Sequence, residues 1–187
     1  MVRIEPGGQA PAALPEEGRA CHEICAAVTR YARGRDRCDR EDVLAAFHPG
    51  AFLDYQGFAG TPQEFCDWLM PRRLAGLGWT ICRTGAPFVE VDAGRGRALA
   101  ETSVRAKLRF TKEGKPFDRH ASARYVDVFE TQGGVWRIAL RRTVIDSERT
   151  VPVPARDSAN PDFADAPGSS PGRRLARPDA LTVTRRQ

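Results

Sequence analysis

Residues 97–110, RALAETSVRAKLRF, alternate between two kinds of side chain, and this pattern constrains the fold more than any other part of the chain. A period of two places successive side chains on opposite faces of a β-strand. The charges all lie on one face, and the other face is formed by Ala98, Ala100, Thr102, Val104, Ala106, Leu108 and Phe110. The segments HASARYVDVFE and VWRIALRRTVI follow, joined by TQGG, which is typical of a hairpin. The second half of the chain therefore predicts a long antiparallel meander.

The first half of the chain has a helical period instead. A helix is predicted over about residues 16–35, because apolar side chains recur at helical spacing at Cys21, Cys25, Val28 and Ala32. Asp39 is a suitable N-cap for a second helix in REDVLAAF. A third helix is expected to begin at Thr61 and Pro62, with Glu64 completing a capping box, and to stop at Pro71.

Helices followed by a meander predict an α+β domain in which helices pack on one curved sheet. We place this domain at residues 16–149. Residues 1–15 are rich in Pro, Gly and Ala and are expected to be disordered. The Pro/Ser/Arg-rich tail, residues 150–187, contains few core-forming residues and is expected to be mostly disordered as well.

Composition narrows the class of function. The net charge is +5, but the basic residues are scattered among acids, so we expect no nucleic-acid partner. The chain has no run of 18 apolar residues and no apolar signal-peptide region, so we expect no membrane partner and a cytoplasmic location. Its 5 cysteines form no zinc-spaced cluster and are expected to be free thiols. Without a metal constellation or a Gly-rich phosphate loop, nothing in the sequence requires a cofactor.

Several polar residues are predicted to point inward. Asp36 is the next position on the apolar stripe of the first helix, where a carboxylate is costly to desolvate unless something pairs with it or uses it. Tyr31 lies near the same helix end, and Tyr55 closes the segment AFLDY. Arg142 lies on the even-numbered face of the last strand, together with Ile138 and other apolar residues, and is expected to enter the core.

Two interpretations of these inward polar residues are open. One is a buried ion pair between Asp36 and Arg142, or another arginine, with tyrosines at the rim of a cavity. The other is an apolar pocket with convergent polar groups, the usual composition of a small-molecule site. In the second case the expected pocket lining is Leu53, Phe58, Trp68, Trp79 and Phe88.

Three segments, in this order and spacing, resemble the SnoaL-like branch of the nuclear transport factor 2-like superfamily. They are RYARGRDRCDREDVLAAFHPGAFLDYQGFAG, VEVDAGRGRALAE and ARYVDVFETQGGVWRIALRR, within roughly residues 17–147. The resemblance implies a cone-like barrel, in which a curved antiparallel sheet wraps around three N-terminal helices and encloses a ligand cavity. Members of this superfamily include scytalone dehydratase, bile-acid 7α-dehydratase and polyketide cyclases.

The resemblance also implies a set of site residues. The polar layout is similar to that of the bile-acid dehydratase, whose tyrosine and aspartate match Tyr31 and Asp36. Its pocket tyrosine matches Tyr55, and its last-strand arginine matches Arg142 or, less well, Arg141. In such lyases a histidine works with the aspartate and abstracts the proton.

Here the position of that histidine holds Cys82. Three alternatives for the base follow: Asp36 alone, with Tyr31 or Tyr55 donating to the developing oxyanion; His120; or the thiol of Cys82.

The sequence therefore predicts a cofactor-free dehydratase, isomerase or cyclase that transfers protons on a hydrophobic small molecule, in a biosynthetic pathway. A non-catalytic ligand-binding or assembly protein on the same scaffold is the alternative. A protein-interaction subunit is a third hypothesis, which the outward charges of TSVRAKLRF disfavour. Because one sheet face must be covered, we expect a homodimer or homotrimer.

Overall fold

The computed structural model describes the backbone of residues 15–154 and the side chains of residues 15–72 and 80–154. The expected disordered segments lie outside the described residues, apart from their ends at 15 and 150–154. The helices are α1 (Glu16–Arg37), α2 (Arg40–Ala45) and α3 (Pro62–Gly76), and a 3₁₀ turn covers Ala93–Arg95. The strands are β1 (Phe47–Tyr55), β2 (Phe58–Gly60), β3 (Leu77–Thr84), β4 (Phe88–Asp92), β5 (Arg97–Lys112), β6 (Lys115–Gln132) and β7 (Val135–Pro152).

The predicted helix starts are confirmed by their hydrogen bonds. Asp39 caps α2, because its Oδ1 accepts from the backbone N–H of Asp42 at 3.2 Å. Thr61 and Glu64 form the capping box of α3: Thr61 N donates to Glu64 Oε2 at 2.8 Å, and Glu64 N donates to Thr61 Oγ1 at 3.3 Å. The predicted stop at Pro71 is wrong, since α3 continues to Gly76. Proline removes one N–H donor, but its fixed φ is itself compatible with a helix.

The strands form one open, seven-stranded sheet in the order β2-β1-β7-β6-β5-β3, with β4 also paired to β5. The expected α+β cone with three helices is confirmed. The sheet, however, is mixed and not wholly antiparallel, because β1 runs parallel to β7. A parallel pair needs a long connection, and here the remaining strands and α3 supply it.

The hairpins of the meander are confirmed. Between β6 and β7 the chain turns at Gly133 and Gly134, whose φ angles of 59° and 76° fit a type I′ turn. Gly85–Pro87 separates β3 from β4.

A bulge in β7 changes which of its residues face the core. Phe129 pairs with Ile138, but the next residue back along β6, Val128, pairs with Leu140, so Ala139 is an extra residue in β7. An inserted residue reverses the alternation of side chains beyond it. Ile138 is therefore buried before the bulge and Arg141 after it, whereas Leu140 is exposed.

The face of α1 that meets the core differs from the predicted one. Its buried residues include Ala20, Ile24, Val28, Tyr31 and Arg35. Cys21 and Cys25 lie beside this stripe and are only half-buried. The core thus lies between α1 and the inner sheet face, and the residue that continues the stripe at its end is an arginine. Within residues 15–154, no helix combines the length and the apolar character needed to cross a membrane.

Candidate functional site

A group of polar side chains is enclosed where the C-terminal end of α1 meets β3, β6 and β7. All of its members are buried. We call it the interior cluster, and it consists of Tyr31, Arg35, Cys82, Tyr125, Asp127 and Arg141. Local geometry brings these residues together: Tyr31 and Arg35 are one helical turn apart, Tyr125 and Asp127 share one face of β6, and Asp127 is the cross-strand partner of Arg141.

Arg35 contacts two members of the interior cluster and the ring of Tyr55 beside it. Its Nη1 donates a hydrogen bond to Tyr125 Oη at 2.8 Å and lies 3.7 Å from Cys82 Sγ. Cys82 Sγ is in turn 3.6 Å from Tyr125 Oη. The guanidinium carbon lies 5.7 Å from the ring centre of Tyr55. A buried cation therefore touches a hydroxyl, a thiol and an aromatic face.

Arg141 forms a two-pronged ion pair with Asp127. Its Nε and Nη2 donate to the two carboxylate oxygens at 2.7 Å and 2.6 Å. The guanidinium carbon also lies 4.2 Å and 4.1 Å from the ring centres of Tyr31 and Tyr125, so the cation is held between two aromatic rings. Burial raises the pKa of the Asp127 carboxyl, and the Arg141 guanidinium opposes this shift.

The two tyrosines keep their protons at neutral pH. Burial raises the pKa of Tyr31 and, more strongly, that of Tyr125. Tyr31 Oη is fully enclosed, yet it has no hydrogen-bond partner among the described residues, and the same holds for Arg141 Nη1 and Thr102 Oγ1. Buried polar atoms are nearly always paired, so these three atoms leave hydrogen-bonding capacity that the described part of the protein does not use.

Asp36 lies beside the interior cluster and is half-buried. Its Oδ2 accepts a hydrogen bond from the backbone N–H of Cys82 at 2.7 Å, which ties the end of α1 to β3. Tyr55, also half-buried, packs against Phe65 and Trp68, with ring centres 5.5 Å and 6.2 Å away. Four of the predicted site residues therefore do lie around one region of the interior: Tyr31, Asp36, Cys82 and Tyr55.

Arg142 does not belong to this region. The prediction that it enters the core is wrong, because its side chain is 69% exposed and its Nε donates to Asp54 Oδ2 at 3.0 Å. The bulge at Ala139 turns Arg141 inward in its place. Asp36 and Arg142 therefore form no ion pair with each other.

His120 lies on the opposite side of the sheet. The inward residues of this part of β6 include Ala123 and Tyr125, and His120 falls on the other set, opposite Lys107 of β5. It cannot reach the interior cluster without unpairing β6. His48 is buried, with Nε2 2.9 Å from the carbonyl oxygen of Glu130.

The predicted lining residues separate into three groups. Leu53 is buried, and Phe58 and Trp68 pack around Phe65 within the core. Phe88 is 70% exposed, so its assignment to the pocket is wrong. It alternates with the core-packed Val89, which takes the inward position. The side chain of Trp79 lies outside the described residues.

Three interior residues were missed by the sequence reasoning, Arg35, Tyr125 and Asp127, and Arg141 was named only as the less good match to the family's last-strand arginine. Two signals could have found some of them. Tyr125 and Asp127 share a face of β6 with Phe129, and Arg35 follows Tyr31 at helical spacing. For Arg141 the sequence carries no such signal, because its orientation depends on the bulge.

The 5 cysteines are free thiols, as expected. In the side chains that the structure describes, no three His, Cys, Asp or Glu residues are grouped to hold a metal ion.

Three helices against an open, mixed sheet of seven strands, with a polar cluster enclosed between them, define the α+β cone of the nuclear transport factor 2-like superfamily. The chain belongs to the SnoaL-like domain family, whose family model matches residues 16–142. This confirms the resemblance drawn from the three sequence segments.

Known proteins similar to this chain support the same fold. A PEP2-like protein of Fusarium vanettenii is 28% identical over 126 residues, which are 65% of this chain and 53% of that protein. The chain thus spans about half the length of this relative. Among solved structures, a provisionally named scytalone dehydratase of Novosphingobium aromaticivorans superposes with a TM-score of 0.59 at 20% identity, covering 74% of this chain and 90% of that one. The hexachlorocyclohexane dehydrochlorinase LinA-type3 of Novosphingobium barchaimii gives 0.62 at 12% identity, covering 75% and 94%.

Proposed function

We propose that this protein is a cofactor-free lyase or isomerase that moves a proton on a hydrophobic small molecule, as a dehydratase, isomerase or cyclase does. The observation that carries the proposal is the unused hydrogen-bonding capacity of Tyr31 Oη, buried at the centre of the interior cluster. A hydroxyl group left unpaired in a protein interior costs stability. A ligand oxygen at that position would satisfy it.

The surroundings of Tyr31 favour a ligand with a polar head and an apolar body. Phe47 and Phe65 pack on its ring, with centres 5.5 Å and 6.4 Å away. Tyr55 and Trp68 continue the same aromatic surface. A site of this composition holds an apolar molecule and orients it through a few hydrogen bonds. A carbonyl compound fits both requirements.

Proton abstraction next to a carbonyl leaves negative charge on the carbonyl oxygen. Tyr31 would donate a hydrogen bond to that oxygen, and because its pKa is raised by burial, it would do so without losing its proton. The Arg141 cation, 4.2 Å from the Tyr31 ring, adds a favourable field. This first step is shared by eliminations, isomerisations and aldol-type cyclisations.

We assign the role of base to Asp36. The Cys82 N–H holds its Oδ2 and so fixes the orientation of the carboxylate at the edge of the interior cluster. In the step, the carbon–hydrogen bond breaks, the proton passes to the carboxylate, and the electron pair is delocalised onto the substrate oxygen. In an elimination, the oxyanion then expels the leaving group. The thiol of Cys82 is the second candidate, because it lies 3.7 Å from the Arg35 cation.

The names of similar proteins agree with this reaction class. A dehydratase and a dehydrochlorinase both catalyse eliminations, and proteins so named share the fold of this chain. The likeness concerns the fold.

The test is exchange of carbon-bound hydrogen with solvent. The protein is incubated in D₂O with a set of apolar ketones and β-hydroxyketones, and mass spectrometry records deuterium uptake or loss of water. We expect Asp36→Asn to slow the reaction by about 100-fold or more, in line with the usual contribution of a general base. Asp54→Asn is the matched control, because that carboxylate is exposed and pairs with Arg142. It should change the rate by less than about twofold.

Tyr31→Phe gives an independent check. Removing an unpaired buried hydroxyl should leave the free energy of unfolding unchanged or slightly higher. The same change should slow exchange by about 10-fold or more if Tyr31 donates to the oxyanion. Unchanged exchange in both Asp36→Asn and Tyr31→Phe would contradict the proposal.

A non-catalytic ligand-binding protein is the second candidate. The observation that favours it is Cys82 at the position of the family's histidine, with its backbone N–H bound to the aspartate. Under this hypothesis the protein binds members of the same compound set, seen as a rise in Tm, but catalyses neither exchange nor elimination on any of them.

The oligomeric state remains a proposal as well. Exposed apolar side chains cross the helix-free sheet face, and their register places them in neighbouring positions on five strands: Phe52, Phe88, Leu99, Val126 and Leu140. Covering this face with a second copy would explain it, and the mass in solution measured by light scattering would distinguish a monomer from a homodimer or homotrimer.

A further inference from the structure

A groove of about 660 Å³ lies on the helix-free face of the sheet, opposite the interior cluster. We call it the basic groove, because five of its lining residues are basic: Arg83, Arg105, Lys107, His120 and Arg149. Two serines, Ser122 and Ser147, also line it and are cross-strand partners of each other. The groove crosses β3, β5, β6 and β7.

Strand register places these basic residues directly opposite one another. Arg83 of β3 pairs with Arg105 of β5. His120 of β6 lies between Lys107 of β5 and Arg149 of β7. Like charges in directly opposed cross-strand positions destabilise a sheet. The basic groove therefore concentrates positive charge at a cost to the stability of the sheet.

Four other arginines on the same sheet face each have a carboxylate partner within salt-bridge distance. The pairs are Arg97 with Glu130, Arg109 with Asp118, Arg124 with Glu101 and Asp146, and Arg142 with Asp54.

The arginines of the basic groove differ from these four in their partners. Arg83, Arg105 and Arg149 have no carboxylate partner among the described residues, although Lys107 contacts Asp118. The one acid that lines the groove, Glu148, is engaged by Arg119. Three arginines without a carboxylate partner among the described residues thus lie together in the groove.

We propose that the basic groove binds a small phosphate-bearing molecule with at least two negative charges. Guanidinium groups donate pairs of hydrogen bonds to phosphate oxygens, and the opposed positions of Arg83 and Arg105 let both reach one group. The hydroxyls of Ser122, on β6 between the strands of Arg105 and Arg149, and of Ser147, on the same strand as Arg149, provide further donors. The groove volume lies in the range of small-molecule sites and so favours a free ligand over a polymer.

This site is separate from the one assigned to catalysis. Ile81 and Arg83 line the basic groove, whereas Cys82 between them is buried on the inner side of the same strand. The proposal therefore stands whether or not the interior cluster is catalytic.

Inorganic pyrophosphate is the probe, and isothermal titration calorimetry at low ionic strength is the measurement. We expect the wild-type chain to bind it, and the double variant Arg83→Gln/Arg105→Gln to bind it at least about tenfold more weakly. Arg124→Gln is the matched control, since Arg124 lies on the same sheet face but is paired with carboxylates. Its affinity should stay within about twofold of wild type. No binding by wild type, or an equal loss in the control, would overturn the proposal.

Thermal unfolding separates a binding role from a structural one. Without ligand, Arg105→Gln should leave Tm unchanged or raise it, because it relieves the repulsion from Arg83. The rise in Tm that pyrophosphate causes in wild type should be lost in this variant. A lower Tm of the unliganded variant would show that Arg105 serves the fold and would overturn the argument. Tighter binding of a short single-stranded oligonucleotide than of pyrophosphate, by tenfold or more, would refute the small-ligand assignment.

Discussion

Replacing Asp127 by asparagine would remove the only carboxylate that the described residues place against the buried Arg141 guanidinium. Both side chains are at most 1% exposed, so the remaining cation could not be rehydrated without opening the sheet. Breaking a buried ion pair by removing one partner costs about 3–5 kcal/mol. For a domain of this size the expected fall in Tm is roughly 10 °C.

The chain contains its own control for this prediction. The next residue, Arg142, pairs with Asp54 on the outer face, where the two side chains are 69% and 46% exposed. An exposed pair of this kind contributes about 0–1 kcal/mol. Asp54→Asn should therefore change the free energy of unfolding by no more than that, although it removes the same kind of interaction from a neighbouring arginine.

Urea-induced unfolding followed by circular dichroism gives both free energies. A third variant, Asp127→Leu combined with Arg141→Met, replaces the ion pair by apolar side chains and should recover most of the stability lost in Asp127→Asn. The reasoning is refuted if Asp127→Asn costs less than about 1 kcal/mol, or if Asp54→Asn costs as much as Asp127→Asn.

Two further predictions concern the helix contact and the acid stability of the sheet. Gly34→Ala would place a Cβ atom 2.7 Å from Asp42 Cβ and 2.8 Å from Val43 N, where α1 and α2 cross. Thermal unfolding should therefore show a loss of about 1–3 kcal/mol in the free energy of unfolding. If the variant is as stable as wild type, the two helices can separate freely and the prediction is wrong. Hydrogen bonds from Arg109, the largest cause, and from a neighbouring lysine lower the pKa of Asp118. Its contribution to stability is therefore complete above the ordinary aspartate pKa of about 3.9 and is lost as the pH falls through the lowered folded value. Urea unfolding of Asp118→Asn should show a lower free energy of unfolding than wild type at neutral pH and a smaller decrease of that free energy below about pH 4. If the variant loses stability below about pH 4 as steeply as wild type does, Asp118 does not have this role.

Local features of the sequence predicted the secondary structure well. The capping hydrogen bonds of Asp39 and of Thr61 with Glu64 form as expected, because their partners lie within three residues along the chain. The alternation predicted for residues 97–110 is seen in the burial of residues 97–105, whereas residues 106–110 are all half-buried. The cone shape was predicted only from the resemblance to the SnoaL-like family, because helix and strand patterns alone do not specify it.

The candidate site was predicted only in part. Tyr31, Cys82 and Asp36 lie close together, as the family resemblance implied, since Tyr31 and Cys82 are in the interior cluster and Asp36 binds the N–H of Cys82. Arg142 and His120 were assigned to the interior and lie on the outer face. Both errors concern which side of a strand a residue occupies. For Arg142 the cause is the residue inserted at Ala139, which changes the side for everything beyond it.

The sequence by itself determined where helices and strands begin, which face of β5 is buried, and which family the chain belongs to, because these depend on neighbouring residues and on motif spacing. Only the tertiary structure decided that β1 runs parallel to β7, that a bulge at Ala139 turns Arg141 inward, and that Arg83 and Arg105 oppose one another. These features depend on pairing between strands that are distant in sequence, and their energies are settled only when the whole sheet forms.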